Sequence, residues 1–97
     1  MTFLFAEESE AELREAAAYY AERASVALAD AFLGEVLRCA RLVAGNPGLG
    51  TPTLGGRRIF PLRRFPYSLV YRTVGEGVRI AAVAHQSRRP GYWRKRS

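Results

Sequence analysis

The chain is short of several things, and each shortage removes a class of function. It has one cysteine, Cys39, so there is no disulfide framework and no thiolate cluster for a metal. Cys39 lies in a helical pattern of apolar residues and reads as a small buried hydrophobe. His85 is the only histidine and has no cysteine or carboxylate cluster near it, so neither a metal nor a cofactor is expected. No apolar run approaches the roughly 20 residues that a membrane-spanning helix needs. The acidic start, Thr2 to Glu8, lacks the basic region of a signal peptide. The expected location is therefore the cytoplasm, with no membrane partner. At 97 residues, 48% of them apolar, the sequence suits one domain over 1–97 with a single core.

Charge of one sign is scarce in each half. Up to Gly56 there are four cations against eight anions; from Arg57 onward there are eleven cations against Glu76 alone. Lys95 is the only lysine. Arginine is the better residue for forked contacts to phosphate or carboxylate. So uneven a division points to an anionic partner, either nucleic acid or an acidic protein segment, and a basic face that only aids solubility is the plainer alternative.

The chain is organised around its last third. Three runs rich in β-branched and aromatic residues, Arg58 to Leu62, Tyr67 to Val74 and Val78 to His85, predict strands. Gly75-Glu76-Gly77 joins the last two as a hairpin. Strand alternation places Tyr67, Leu69, Tyr71 and Thr73 on one face, and it groups Val78, Ile80, Ala82 and Ala84 opposite Arg79, Ala81, Val83 and His85. One face of the meander should be buried, with arginines at the rim of the other. Pro61 confines the first run to an edge or cuts it short.

Ahead of these runs, Phe3-Leu4-Phe5 is a short strand candidate. Ser9-Glu10-Ala11-Glu12 has the form of a capping box, which starts a helix within about two residues of Ser9. Leu13, Ala16, Ala17, Tyr20 and Ala24 form its apolar stripe, and Tyr19, Tyr20 and Phe32 are expected in the core. After a break near Ala24-Ser25, a second stripe runs through Ala29, Phe32, Leu33, Val36, Ala40 and Val43. Gly45-Asn46-Pro47 ends it, the glycine as a left-handed cap. GLGTPTLGG, residues 48–56, is an uncharged mobile loop. The fold class is α+β in the order β-α-α-β-β-β, an N-terminal helical hairpin on a mainly antiparallel sheet with a short basic C-terminal segment.

The strings Phe65-Pro66-Tyr67-Ser68-Leu69-Val70-Tyr71-Arg72, Ala82-Val83-Ala84-His85 and Arg88-Arg89-Pro90-Gly91-Tyr92-Trp93, in this order and spacing, resemble the RelE/ParE superfamily of bacterial toxins. The resemblance implies the toxin of a type II toxin–antitoxin pair, neutralised by a cognate antitoxin. It includes the plasmid-stabilisation toxins of the ParE kind, which inhibit DNA gyrase by binding. RelE-like members cut messenger RNA on the ribosome with basic strand residues. Their two strand lysines would fall on Ile59 and Pro61, and the arginine before LVY on Ser68. Those losses favour the gyrase-binding branch, with Arg63, Arg64, Arg72, Arg88, Arg89, Tyr92 and Trp93 as the target-binding set. If the chain were a nuclease, Arg63, Arg88, His85 and Tyr92 would carry the chemistry on ribosome-bound mRNA. A non-toxic binding module derived from the family is a third reading. For the antitoxin, the apolar groove of Ala29, Phe32, Leu33 and Val36 is the expected surface. The alternative for Tyr92-Trp93 is that they close the core over a Pro90-Gly91 bend, with the last residues a solvated end.

Overall fold

A computed structural model describes residues 2–96. The strands are β1 (Phe3–Phe5), β2 (Thr51–Pro52), β3 (Arg58–Pro61), β4 (Tyr67–Val74) and β5 (Gly77–His85); the helices are α1 (Glu7–Arg23) and α2 (Val26–Gly45). The sheet order is β1-β5-β4-β3-β2, with β1 parallel to β5 and the other pairs antiparallel. This is the expected α+β arrangement, a helical hairpin on a mainly antiparallel sheet. Positive φ at Gly75 alone between Val74 and Gly77 gives the hairpin the pattern of a type II′ turn.

The stretch expected to be a mobile loop is instead built. It holds two short 3-10 turns, at Pro47–Leu49 and Leu54–Gly56, around β2. The cause is Tyr71, fully buried, whose hydroxyl accepts from Gly50 N–H at 2.9 Å and donates to Pro47 O at 2.7 Å. A Cβ on Gly50 would lie 2.7 Å from that hydroxyl, so only glycine lets the chain pass. Arg58 adds a bond to Gly50 O at 2.7 Å.

Simple alternation fails in β5. The register pairs Val70 with Ala82 but Tyr71 with Ile80, leaving Ala81 as an extra residue, a β-bulge. Beyond the bulge every side chain changes face. Val78, Ile80 and Val83 therefore pack under the helices, whereas Ala82 and Ala84 join Val70 on the opposite face. Both faces of the sheet carry a packed layer: the helices lie on one, and Trp93, only 4% exposed, packs on part of the other.

The helix starts also differ in detail from the sequence pattern. α1 begins at Glu7 with Ala6 as its N-cap, and Ser9 is not a capping acceptor. Its fully buried hydroxyl lies 2.8 Å from both the Ala6 and Ile80 carbonyl oxygens and donates toward them, joining helix to sheet. Glu12 is drawn away to other partners described below. Ser25 does cap α2, accepting from Leu28 N–H at 3.0 Å. At the other end Gly45 is helical and Asn46 is the C-cap with φ −149°, so no left-handed glycine is used.

The surface assigned to the antitoxin is not open. Ala29, Phe32 and Val36 are buried in the main core, and only Leu33 of that set is half-exposed. Phe32 sits among Tyr20, Phe65 and Tyr67, with ring centroids 5.1 to 5.3 Å away. A partner groove and a core stripe share one helical period, which is why the pattern could not separate them. Tyr19, conversely, was expected in the core and is exposed. Phe32→Ala should cost about 3–5 kcal/mol of folding stability in a denaturant titration. Leu33→Ala should cost much less.

Candidate functional site: the basic end of the sheet and the C-terminal tail

Two turns meet where β4 begins and β5 ends. Tyr67 pairs with His85 there, and Gln86 N–H donates to Pro66 O at 2.8 Å. Each turn carries two adjacent arginines, Arg63-Arg64 on one and Arg88-Arg89 on the other, all four exposed. Arg72 is not brought to them. It stands opposite Arg79, five residues along β4 from Tyr67, or about 16 Å of extended strand.

The first turn is held from below by Glu35 of α2, which accepts from Arg63 N–H at 2.6 Å and from Arg38 through two nitrogens at 2.7 and 2.8 Å. The Arg38 hydrogen bond, helped by the Arg63 amide and opposed by burial, lowers the Glu35 pKa from 4.5 to about 2. The adjacent Cys39 thiol is pushed up to about 11, chiefly by burial and then by Glu35, so it stays protonated and unreactive. Arg64 takes φ +69°, uncommon for a residue with a Cβ, and its guanidinium lies 5.4 Å from the Phe65 ring.

The second turn opens the tail. Gly91, at φ +77°, is the bend, and successive bonds from Tyr92, Arg94 and Arg96 amides to the carbonyls of Arg89, Gly91 and Trp93 wind the rest into turns. Trp93 lies on Val70, Ala82 and Ala84. The buried Arg57 has its guanidinium 5.6 Å from the indole and donates to the carbonyls of Arg94, at 3.2 Å, and Arg96.

Glu12 is the other anchor. Its Oε1 accepts from Val83 N–H at 3.1 Å and from Arg96 Nη1 at 2.8 Å; its Oε2 accepts from the Tyr92 hydroxyl at 2.5 Å and from Arg96 Nη2 at 3.2 Å. Arg96 also donates to Ala81 O at 3.1 Å. β1 pairs with β5 only as far as Ile80, so on that side Glu12 and Arg96 serve Ala81 O and Val83 N–H in place of a neighbouring strand. The end expected to be solvated is tied down through Arg96.

Of the sequence-predicted set, the structure puts Arg63, Arg64, Arg88 and Arg89 on two adjoining turns, with the Arg88 guanidinium 4.0 Å from the Tyr92 ring centroid. Trp93 is core and offers little surface. The nuclease set fares less well. Tyr92 spends its proton on Glu12, and burial, then that bond, raise its pKa above the ordinary tyrosine value. His85 Nδ1 accepts from the Ser87 amide at 3.0 Å and lies 2.7 Å from the Ser87 hydroxyl, and its ring packs edge-on to Tyr67 at 4.9 Å. The residues that sequence reasoning missed are Glu12, Glu35, Arg57 and Arg96. The one signal for Glu12 was its place in a capping-box string, and it pointed elsewhere.

With this geometry in place, the comparison with known proteins is direct. The model of the family described as ParE toxin of type II toxin-antitoxin system, parDE, matches residues 3–90. The chain belongs to the ParE toxin family. A solved chain described as "Chromosomal ParDE TA system from P. aeruginosa" has the same fold, with a TM-score of 0.77 at 20% identity, covering 88% of this chain and 95% of that one. No curated protein matches. As a ParE toxin the chain has an antitoxin for a partner. Among the described residues no helix is long and apolar enough to cross a membrane, and no group of histidine, cysteine or carboxylate side chains could hold a metal ion. The family match ends at Pro90, before the tail.

Two outcomes test this site. Because the folded pKa of Glu35 lies below its ordinary 4.5, its contribution to stability is complete above that value and is lost as pH falls from 4.5 toward 2. Glu35→Gln should flatten the acid limb of a pH-stability curve over that window. Glu12→Ala should cost about 1–3 kcal/mol, since it leaves the Val83 amide without its acceptor and the Arg96 guanidinium with Ala81 O alone. Limited trypsin digestion should then cut after Arg88 or Arg94, the Arg89–Pro90 bond being resistant, well before the core unfolds.

Proposed function

We propose that the chain is a cytoplasmic toxin that inhibits DNA gyrase by binding it, through the arginines at the end of the sheet. Membership of the ParE family supports a toxin whose action an antitoxin restrains. The observation that carries the binding reading is the union of the two arginine turns by the Gln86–Pro66 bond, on a frame where His85 and Tyr92 are already engaged. A distributed cationic surface of this kind binds through several charge-assisted hydrogen bonds and needs no general base. The same surface would serve a plasmid-borne or a chromosomal pair.

Supercoiling by purified gyrase is the test. The wild-type chain should inhibit it, and Arg63→Ala, Arg64→Ala, Arg88→Ala and Arg89→Ala should each weaken binding by about 1–3 kcal/mol, none of them abolishing it. Arg88 and Arg64 should matter most. If gyrase is untouched while ribosome-bound message is cut, and one folded single variant loses all toxicity, the endoribonuclease reading replaces this one.

A further inference from the structure

The face of the sheet opposite the helices is not fully covered by the tail. Between the Leu54–Gly56 turn and the tail lies a cleft of about 310 Å³, with Ile59, Ala84 and Trp93 beneath it and Leu54 as a wall. Leu54 is 56% exposed, a large apolar side chain that the fold leaves open, and a Cβ on Gly91 would come within 3.5 Å of its Cδ1. Arg88 and Arg89 line the same cleft, and no carboxylate does. Across the Pro90-Gly91 ridge a second cavity, about 340 Å³, is lined by Arg89, Arg94 and Lys95, again with no carboxylate. The arrangement is an apolar hole bracketed by four cations. Its volume is at the bottom of the range for small-molecule sites, the size for one large side chain and not for a cofactor.

We infer that this cleft receives the antitoxin: an acidic segment that seats one aliphatic or aromatic side chain against Leu54 and Ile59 and lays carboxylates on Arg88, Arg89, Arg94 and Lys95. The inference rests on the toxin–antitoxin assignment and not on gyrase as target. A nucleic-acid strand fits the cleft less well. Such strands depend on open aromatic faces, and here Trp93 is buried under Arg57, while Arg88 and Arg96 lie 4.0 and 5.1 Å from the Tyr92 ring centroid. Neutralisation then follows from occupancy. The segment covers Arg88 and Arg89, two of the cations proposed to meet the target, so antitoxin and target exclude one another. The rigid clamp on the tail matters here too, because a fixed cleft loses less entropy on binding than a loose one.

The experiment uses the full chain and a fluorescein-labelled peptide with one central leucine flanked by glutamates, together with its serine-for-leucine and glutamine-for-glutamate analogues. The parent peptide should bind with an affinity that falls as salt rises, and each analogue should bind at least tenfold more weakly. Intact antitoxin should displace the parent peptide. Leu54→Asp should lower antitoxin affinity at least tenfold with an unchanged circular dichroism spectrum; Leu54→Ser, which adds no charge, should lower it in the same direction and guards against misfolding in the first variant. A smaller loss with folded Leu54→Asp overturns the proposal, as does simultaneous binding of peptide and antitoxin. Displacement of the peptide by a short single-stranded oligonucleotide but not by the antitoxin overturns it in favour of a nucleic-acid site. Gyrase inhibition, measured in parallel, can fail without touching this result, since the readout here is antitoxin binding alone.

Discussion

Glu12 ties the acidic half of the chain to its basic end. One carboxylate on α1 accepts from the tail's Arg96 and Tyr92 and from the backbone of β5. Around Glu12 the charge division seen in the sequence closes on itself, anion to cation across the fold. The pair is mostly shielded, with side-chain exposures of 15% and 21%, so solvent and salt screen it less than a surface ion pair. It is also tied into the sheet by hydrogen bonds, the condition under which a shielded ion pair repays its desolvation. Without it the last turns would hang on Trp93 and Arg57, and the outer edge of β5 past Ile80 would lose both of its side-chain partners.

The bulge at Ala81 makes that attachment useful. A regular β5 would keep Ala82 and Ala84 with Val78 and Ile80, under the helices where larger side chains are needed, and would turn Val83 outward. One extra residue sends the two alanines to the far face, where their small size leaves room for the Trp93 indole against Val70. It also coincides with the point at which Arg96 reaches Ala81 O. The sheet thus gains a second packed layer from a tail too short to form a helix.

Much of this was legible from residue pattern. Strand limits, the Ala24-Ser25 break and the helical hairpin follow from apolar periodicity and turn residues, which are local signals. What was hidden is non-local. Nothing in the spacing of Val78 to His85 marks Ala81 as extra, because a bulge is defined by the partner strand. Ser9 and Glu12 satisfy a capping-box string, yet both find better partners about 70 or more residues away, Ser9 at Ile80 and Glu12 at Val83, Tyr92 and Arg96. The arginine turns were found as composition, but which of the arginines share a surface depended on the Gln86–Pro66 contact, and that separated Arg72 from the rest.

The arrangement of those arginines is itself an argument about function. Among the described residues Arg63, Arg64, Arg88 and Arg89 form no ion pair, although the same chain has glutamates that pair with Arg14, Arg38 and Arg96. Like charges gathered on adjoining turns repel and work against the compact state. The backbone that carries them is nevertheless fixed with care: Glu35 grips the Arg63 amide, and Arg64 is held in a conformation that few residues with a Cβ adopt. Strain and repulsion kept together at one place, on a frame that fixes both, are what a preorganised anion-binding surface requires. On the proposed binding function, a carboxylate- or phosphate-bearing partner would offset that repulsion.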